Sequence, residues 1–354
     1  MRLRIALVVA SLDILGGHGV QALALLEGLR SEGYEVTFVP INPCFPRGLQ
    51  WLRRYPYVRT VVNEALYIPS LLKLRQVDVV HIFSASYWSF LLAPLPAILA
   101  ARSLGKRTVL NYHSGEADDH LACWGRLVHP WLRLANEIVV PSEYLRSVFA
   151  RYGYQARVIP NVVETSRLRY RERAPLRPRL LSNRNLEPHY RVGNSVKAFA
   201  LLKSRYPEAT LTVAGYGSEE EKLRRLAASL GDDRLRFVGR VEPEAMPRLY
   251  NGSDVFINSS VVDNQPLSLL EAFAAGLPVV TTATGDIATM VRDGETGLIV
   301  PPENPAAMAE AVAALLDDPD RALLMARRAR KELEKHTWAQ VKKLWLGVYS
   351  GEAA

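Results

Sequence analysis

Residues 258–285, Asn-Ser-Ser-Val-Val-Asp-Asn-Gln-Pro-Leu-Ser-Leu-Leu-Glu-Ala-Phe-Ala-Ala-Gly-Leu-Pro-Val-Val-Thr-Thr-Ala-Thr-Gly, carry the pattern from which the rest of the chain can be read. The apolar run Val255–Asn258 predicts a buried strand, Pro266 marks a helix start, Gly276 a helix end, and Pro278–Thr282 a second buried strand. In this strand–loop–helix–strand unit Asp263 lies in the loop ahead of a helix N-terminus, and Glu271 stands about one and a half turns inside the helix. Both carboxylates can then face one crevice, beside backbone N–H groups that have no intrahelical partner. Anions and polyols bind at such places. The plainer alternative is a loop acid and a helix-surface acid.

The same rhythm runs along the whole chain. Apolar runs at Ile5–Ala10, Val36–Pro40, Val79–Phe83, Thr108–Tyr112, Ile138–Pro141 and Val158–Pro160 alternate with helical segments, which predicts a parallel sheet covered by helices. Residues 164–179 read as a linker, because Arg167, Arg169, Arg171, Arg173, Arg177 and Arg179 alternate along it and Pro175 and Pro178 bar a continuous helix. A second series then follows at Leu180–Ser182, Leu211–Ala214, Leu235–Val238, Val255–Asn258, Val279–Thr282 and Leu298–Val300. The expected architecture is α/β, with Rossmann-like domains at 1–165 and 166–335. The last helix, 336–354, carries Trp338, Leu344, Trp345, Leu346 and Tyr349 and is expected to pack back on the first domain.

A chain of 354 residues that is 49% hydrophobic has enough apolar material for two cores. Its longest apolar stretches fall short of the roughly 20 residues a bilayer span needs. The opening Met1-Arg2-Leu3-Arg4-Ile5-Ala6-Leu7-Val8-Val9-Ala10 reads as a first strand rather than a signal peptide, so a cytoplasmic protein is expected. Cys44 and Cys123 lie far apart without metal-ligand spacing and read as free thiols. After the first strand comes Gly16-Gly17-His18-Gly19, where glycine would let the backbone approach a ligand at the sheet edge. His113, after the fourth run, can reach the same edge, whereas His81 reads as a structural end-of-strand residue.

Asp263, Glu271-Ala272 and Gly276-Leu277-Pro278-Val279 together resemble the acidic signature of retaining glycosyltransferases of the GT-B, family-4 type. That family usually has Glu at both ends; this chain has Asp263 at the first. The resemblance implies a GT-B fold, two Rossmann-like domains with parallel sheets facing a central cleft. It implies transfer of a hexose-type sugar from a nucleoside-diphosphate sugar to a saccharide or lipid-linked acceptor, with retention of configuration and with no metal or other cofactor. Glu271 would bind the nucleotide ribose hydroxyls, Asp263 hydroxyls of the transferred sugar, and His113 the sugar near its reacting carbon. The loop at Gly16 and Gly17 would lie near the donor phosphates, and Gly239 and Arg240 around the base. Asn264, Gln265, Pro266, Leu267 and Ser268 form the helix start that would face the diphosphate. The segment Asn183-Arg184-Asn185-Leu186-Glu187-Pro188-His189-Tyr190-Arg191-Val192 resembles the diphosphate-binding segment, with Arg184 in place of the family's arginine. Tyr190 stands where a lysine is expected, so Arg191 is expected to turn inward and supply the missing charge; the close alternative is a solvated Arg191, with Arg184 and the helix N-terminus sufficing. Val162, Asp263 and Tyr190 all depart from the family pattern, which keeps open a non-catalytic paralogue that binds a nucleotide or partner. The only Asp-x-Asp, Asp318-Pro319-Asp320, lies in the helical tail, away from any loop that could hold a metal for a GT-A enzyme.

The formal charge of +8 is unevenly spread. Between Ile41 and Val77 stand Arg47, Arg53, Arg54, Arg59, Lys73 and Arg75 against the single acid Glu64, with Trp51, Tyr55, Tyr57, Leu66, Tyr67 and Ile68 among them. Such a surface suits anionic lipid headgroups and peripheral contact with the inner face of a membrane, or a polyphosphate. An ordinary solvated helix face is the equal alternative. No nucleic-acid motif accompanies the charge.

Overall fold

The computed structural model describes residues 3–11, 17–165 and 167–352. The chain divides into two compact units, one running up to Val162 and resuming at Trp338, the other spanning Val163–Thr337. In the first unit the strands are β1 (Arg4–Val9), β2 (Glu35–Pro40), β3 (Val79–Ser84), β4 (Arg107–Tyr112), β5 (Glu137–Val140) and β6 (Arg157–Val158). They form one parallel sheet in the order β2-β1-β3-β4-β5-β6. Side chains alternate across a strand. Thus Ala6, Val8, Val80, Ile82 and Leu110 enter one core, while Ile5, Leu7, Val9, Val79 and Val109 enter the other. The second core is closed by helix Gly17–Ser31 and by the final helix Trp338–Ser350, which buries Val341, Trp345, Val348 and Tyr349 there. At Gly28 a Cβ would sit 2.5 Å from the Trp338 ring, so the close approach of these two helices depends on that glycine.

The second unit contains β7 (Arg179–Asn183), β8 (Thr210–Ala214), β9 (Leu235–Gly239), β10 (Val255–Asn258), β11 (Val279–Thr282) and β12 (Leu298–Val300). All pairings are parallel, in the order β12-β11-β10-β7-β8-β9. Leu180, Leu211, Val213 and Ile257 pack one way, and Leu181, Phe256 and Val279 the other. The chain lays down β7, β8 and β9 in one direction and then returns to start β10 on the opposite side of β7. This reversal makes the C-terminal ends of β7 and β10 the sheet's topological switch point, where open α/β sheets bind ligands.

Much of the expected linker is strapped to this unit. Asp254 is fully buried and accepts from Arg171 and Arg179, both at 2.7 Å. Buried Arg173 donates to the carbonyls of Tyr250, Ser253 and Ala275, tying the ends of helices Met246–Gly252 and Leu267–Ala275 together. The segment that reads as a linker thus holds Arg171, Arg173 and Arg179 against this unit, through a carboxylate and carbonyls distant in sequence.

Candidate functional site

Arg184 is the first residue beyond β7, and its N–H donates to Ala214 O at 3.1 Å, so its backbone is fixed to the neighbouring strand β8. Gly215 makes this possible: at φ +135 a Cβ there would lie 2.0 Å from Arg184 O. Asp263 sits in the loop after β10. Its carbonyl is pressed by Gly285, whose Cβ would lie 1.9 Å away, and Asp286 N donates to Asn264 O. Two glycines on flanking loops thereby bring Arg184 and Asp263 face to face. Arg184 Nη2 donates to Asp263 Oδ2 at 2.5 Å, with side-chain exposures of only 11% and 8%.

The rest of the Arg184 guanidinium is nearly enclosed. Its Cζ lies 4.0 Å from the centre of the Tyr190 ring, a stacking geometry that suits a planar cation. Nη1 reaches Ser268 Oγ at 3.4 Å, while the buried Nε has no hydrogen-bond partner. Ser268 belongs to helix Leu267–Ala275, which has Pro266 as its N-cap and ends at Gly276 with φ 79. Its N-terminal N–H groups and aligned dipole attract negative charge next to the arginine. Asn264 is buried and Gln265 and Leu267 half-buried in the approach to this helix.

Glu271 lies one turn further along. Its Oε2 accepts from the hydroxyl of fully buried Tyr250 at 2.6 Å, and that hydroxyl accepts from Asn183 Nδ2 at 2.9 Å. Burial pushes the Glu271 carboxyl up to about 7, against the opposing pull of Tyr250 and Arg184. It is thus a carboxylate held on the edge of protonation.

One expectation from the sequence changes, that for Arg191, and two others gain detail. Asp263 and Arg184, assigned to different parts of a donor, form one ion pair. Arg191 does not turn inward: it caps helix Val192–Leu202 in a left-handed conformation, φ 46, and its 44% exposed side chain pairs with Glu303 at 3.0 Å. The lysine's place beside Arg184 is taken by the Tyr190 ring instead. For Arg240, which reads from the sequence equally as a surface residue or a base contact, the side chain is 44% exposed and pairs with Glu242 at 3.2 Å, while Gly239 ends β9 at φ 69.

In the first unit Gly16 lies outside the described residues, and Gly17 begins a helix. His113 follows β4, with its N–H donating to Ser84 O at 3.2 Å. Its ring stacks on Phe83 at 5.5 Å and meets His18 edge-on at 5.2 Å. Burial, with His18 and His81 nearby, holds it well below the usual histidine range, so it is a neutral imidazole, and its buried Nε2 has no partner. It borders a small cavity with Gln21, Asn111 and Asn161. His81 is structural: its Nδ1 meets Tyr349 Oη at 2.8 Å inside the core. Sequence reasoning missed Tyr250, Asn183, Gly215, Gly285 and His18. His18 and Asn183 stand inside quoted motifs, Gly-Gly-His-Gly and the segment around Arg184, and Gly285 closes the stretch 258–285, but the sequence gives none of them a role of its own.

Comparison with known proteins adds to this geometry. The family profile described as Glycosyl transferases group 1 matches residues 170–332, and that described as Glycosyltransferase Family 4 matches 15–167. A glycogen synthase of Mycobacterium tuberculosis is 31% identical over 289 residues, covering 77% of this chain and 68% of the relative. A phosphatidyl-myo-inositol mannosyltransferase of Mycolicibacterium smegmatis is 25% identical over 369 residues, covering 96% of this chain and 91% of the relative. Among solved structures, Anabaena Alr3699/HepE in complex with UDP and glucose superposes with a TM-score of 0.77 at 16% identity, covering 99% of this chain and 100% of that one, a likeness of fold.

Proposed function

Because the chain belongs to the family 4, group 1 glycosyltransferases with the GT-B fold, we propose that it moves a hexose-type sugar from a nucleoside-diphosphate sugar to a saccharide or lipid-linked acceptor, with retention and without a metal. The observation that carries this reading is the cluster of Arg184, Asp263 and Glu271 around the start of helix Leu267–Ala275, at the switch point of the second sheet. The helix N-terminus and Arg184 offer donors to a diphosphate, and Glu271 is placed to accept from ribose hydroxyls. Asp263 keeps Arg184 oriented and can accept from a sugar hydroxyl. His113, being neutral, suits exchange of hydrogen bonds with a hydroxyl.

In the transfer, the bond from the anomeric carbon to the diphosphate oxygen breaks, and the acceptor oxygen bonds to that carbon on the same face. The acceptor's proton passes to the departing diphosphate. Stabilising that leaving group is the protein's main contribution. The test is incubation with UDP-, GDP- and ADP-sugars in EDTA, following diphosphate release and the anomeric configuration of the product. Release from one donor with a retained anomer supports the reading; an inverted anomer or loss of turnover on chelation overturns that part of it.

Two observations favour a second reading, a non-catalytic binder: Arg184 is already neutralised by Asp263, and Arg191 is turned to Glu303. Nucleotide binding without diphosphate release from any donor would select it.

The acceptor side has its own support. On helix Pro56–Ser70 and the short helical turns either side of it, Tyr67, Leu71 and Leu74 face the core. Tyr57, Val58, Val61, Ile68 and Leu72 form a separate exposed stripe at helical spacing, with Tyr57 89% and Val61 69% exposed. Trp51 and Tyr55 extend it, and Arg47, Arg53, Arg54, Arg59, Lys73 and Arg75 are all exposed around it. This is the composition of a surface that lies on an anionic bilayer, which accords with a lipid-linked acceptor. Among the described residues no helix is long and apolar enough to cross a membrane.

A further inference from the structure

We propose that Tyr250 is the positioning residue that keeps Glu271 aimed and competent to receive the nucleotide, acting through a chain that runs Asn183, Tyr250, Glu271. The proposal rests on the reading of Glu271 as the ribose acceptor. A tyrosine hydroxyl has one proton and can accept as well. Asn183 Nδ2 can only donate, and it points at Tyr250 Oη from 2.9 Å, which leaves the hydroxyl proton for a carbonyl or carboxylate. The two acceptors in reach are Glu271 Oε2 at 2.6 Å and Ser268 O at 3.1 Å, and the shorter, charge-assisted bond goes to Glu271. That bond fixes one carboxylate oxygen and leaves Oε1 for a ligand.

The chain is held at both ends. Asn183 is the last residue of β7 and directly precedes Arg184. Tyr250 is anchored by Arg173 Nη2, which donates to its carbonyl at 2.9 Å. The Tyr250 ring is fully buried beside Phe256, so the hydroxyl has little freedom to leave. One short chain thus joins the backbone that carries the diphosphate arginine to the carboxylate that receives the ribose.

The consequence is a link between donor affinity and pH. Hydroxyl donors on a ribose favour the ionised carboxylate, and so does Tyr250; burial opposes both. The charged and titratable groups reaching Glu271 are Tyr250 from helix Met246–Gly252 and Arg184 from the loop after β7, the latter already paired with Asp263. Glu271 therefore titrates near neutrality, at about 7, in the ligand-free protein. Below that pH it must lose a proton before accepting the diol, and affinity falls with each unit. Removing the Tyr250 hydroxyl withdraws a hydrogen bond to a charged group, which moves this onset upward by about one to two pH units.

The experiment is calorimetric titration of the full chain with UDP at pH 6, 7, 8 and 9, comparing wild type with Tyr250→Phe, which keeps the ring and its packing. UDP's own ionisation is common to both proteins and cancels in the ratio of affinities. Tyr250→Phe is expected to bind about tenfold more weakly at pH 7, with the deficit narrowing to well under about twofold by pH 9. Asn183→Ala should move the onset in the same direction by less. A deficit that is equal at every pH, or none at all, overturns the proposal, since a purely structural tyrosine would not shift a titration. Glu271→Gln separates the two layers. If it binds UDP like wild type at pH 8, the ribose reading itself fails; if it binds weakly while the Tyr250→Phe deficit stays flat with pH, only the positioning role fails.

Discussion

At the scale of single residues, the molecule turns on two partly buried carboxylates treated in opposite ways. Asp263 is matched by Arg184 at 2.5 Å, in surroundings that admit little water. Removing one partner of such a pair leaves the other charge uncompensated, at a cost of about 3–5 kcal/mol. Asp263→Ala is therefore expected to lower the thermal midpoint of the second unit, and adding Arg184→Met should restore most of it. A single variant as stable as wild type would show the pair to be solvated. Glu271 has no cation of its own and is pushed up to about 7. An acid raised in the folded state contributes stability below its unfolded pKa, and that contribution is lost as pH rises through the folded value. Between roughly pH 4.5 and 7 the ligand-free protein should thus lose stability through this group as pH rises, and at pH 8 it bears the full cost of the buried charge. Glu271→Gln is expected to raise the melting temperature at pH 8 and to show no gain at pH 4.5; a gain that is independent of pH would contradict the assignment. Both acids were legible in the sequence from their spacing and the Pro266 and Gly276 signals. Their partners were not. Arg184 meets Asp263 because β7 and β10 are neighbours, and Tyr250 looks like any apolar residue on a short helix until its hydroxyl is seen against Glu271.

At the scale of elements, the central strands read well because helices cover both faces of each sheet, so β1, β3, β4, β10 and β11 are buried almost throughout, whereas β2, β8 and β9, nearer the sheet edges, bury only some of their side chains. Strand order was less accessible, since a crossover can return to either edge of the strand it left. The loops at the switch point were the least legible part, for they depend on contacts between segments far apart in sequence. Gly285 is the clearest instance: nothing around Ala283-Thr284-Gly285-Asp286 announces that a Cβ would collide with Asp263 O. Gly285→Ala combines that 1.9 Å overlap with φ +56. It is expected to displace the Asp263 loop, costing several kcal/mol and most of the nucleotide affinity. Gly105→Ala, at φ +64 with no atom within 4 Å, is the control and should cost only about 1 kcal/mol. Chemical denaturation of the two variants decides the point, and equal losses would mean that backbone conformation alone explains Gly285.

At the scale of the whole molecule, the charge of +8 has a local source in the exposed aromatic and basic surface between residues 47 and 75. If that surface meets lipid, the protein should sediment with vesicles containing phosphatidylglycerol at low salt and be released at roughly 0.5 M salt, where screening acts within a few ångströms. Val61→Asp, on the exposed stripe, should weaken sedimentation and leave UDP affinity unchanged. Equal binding to neutral vesicles, or none to either kind, would favour a soluble saccharide acceptor. If the nucleotide occupies the switch point of the second sheet, amide hydrogen exchange of the wild-type chain with and without UDP will register it there. Protection is expected in the segments 184–191, 263–272 and 285–287, which meet at that edge. Absence of protection there, with UDP bound or protecting amides elsewhere, would contradict the account.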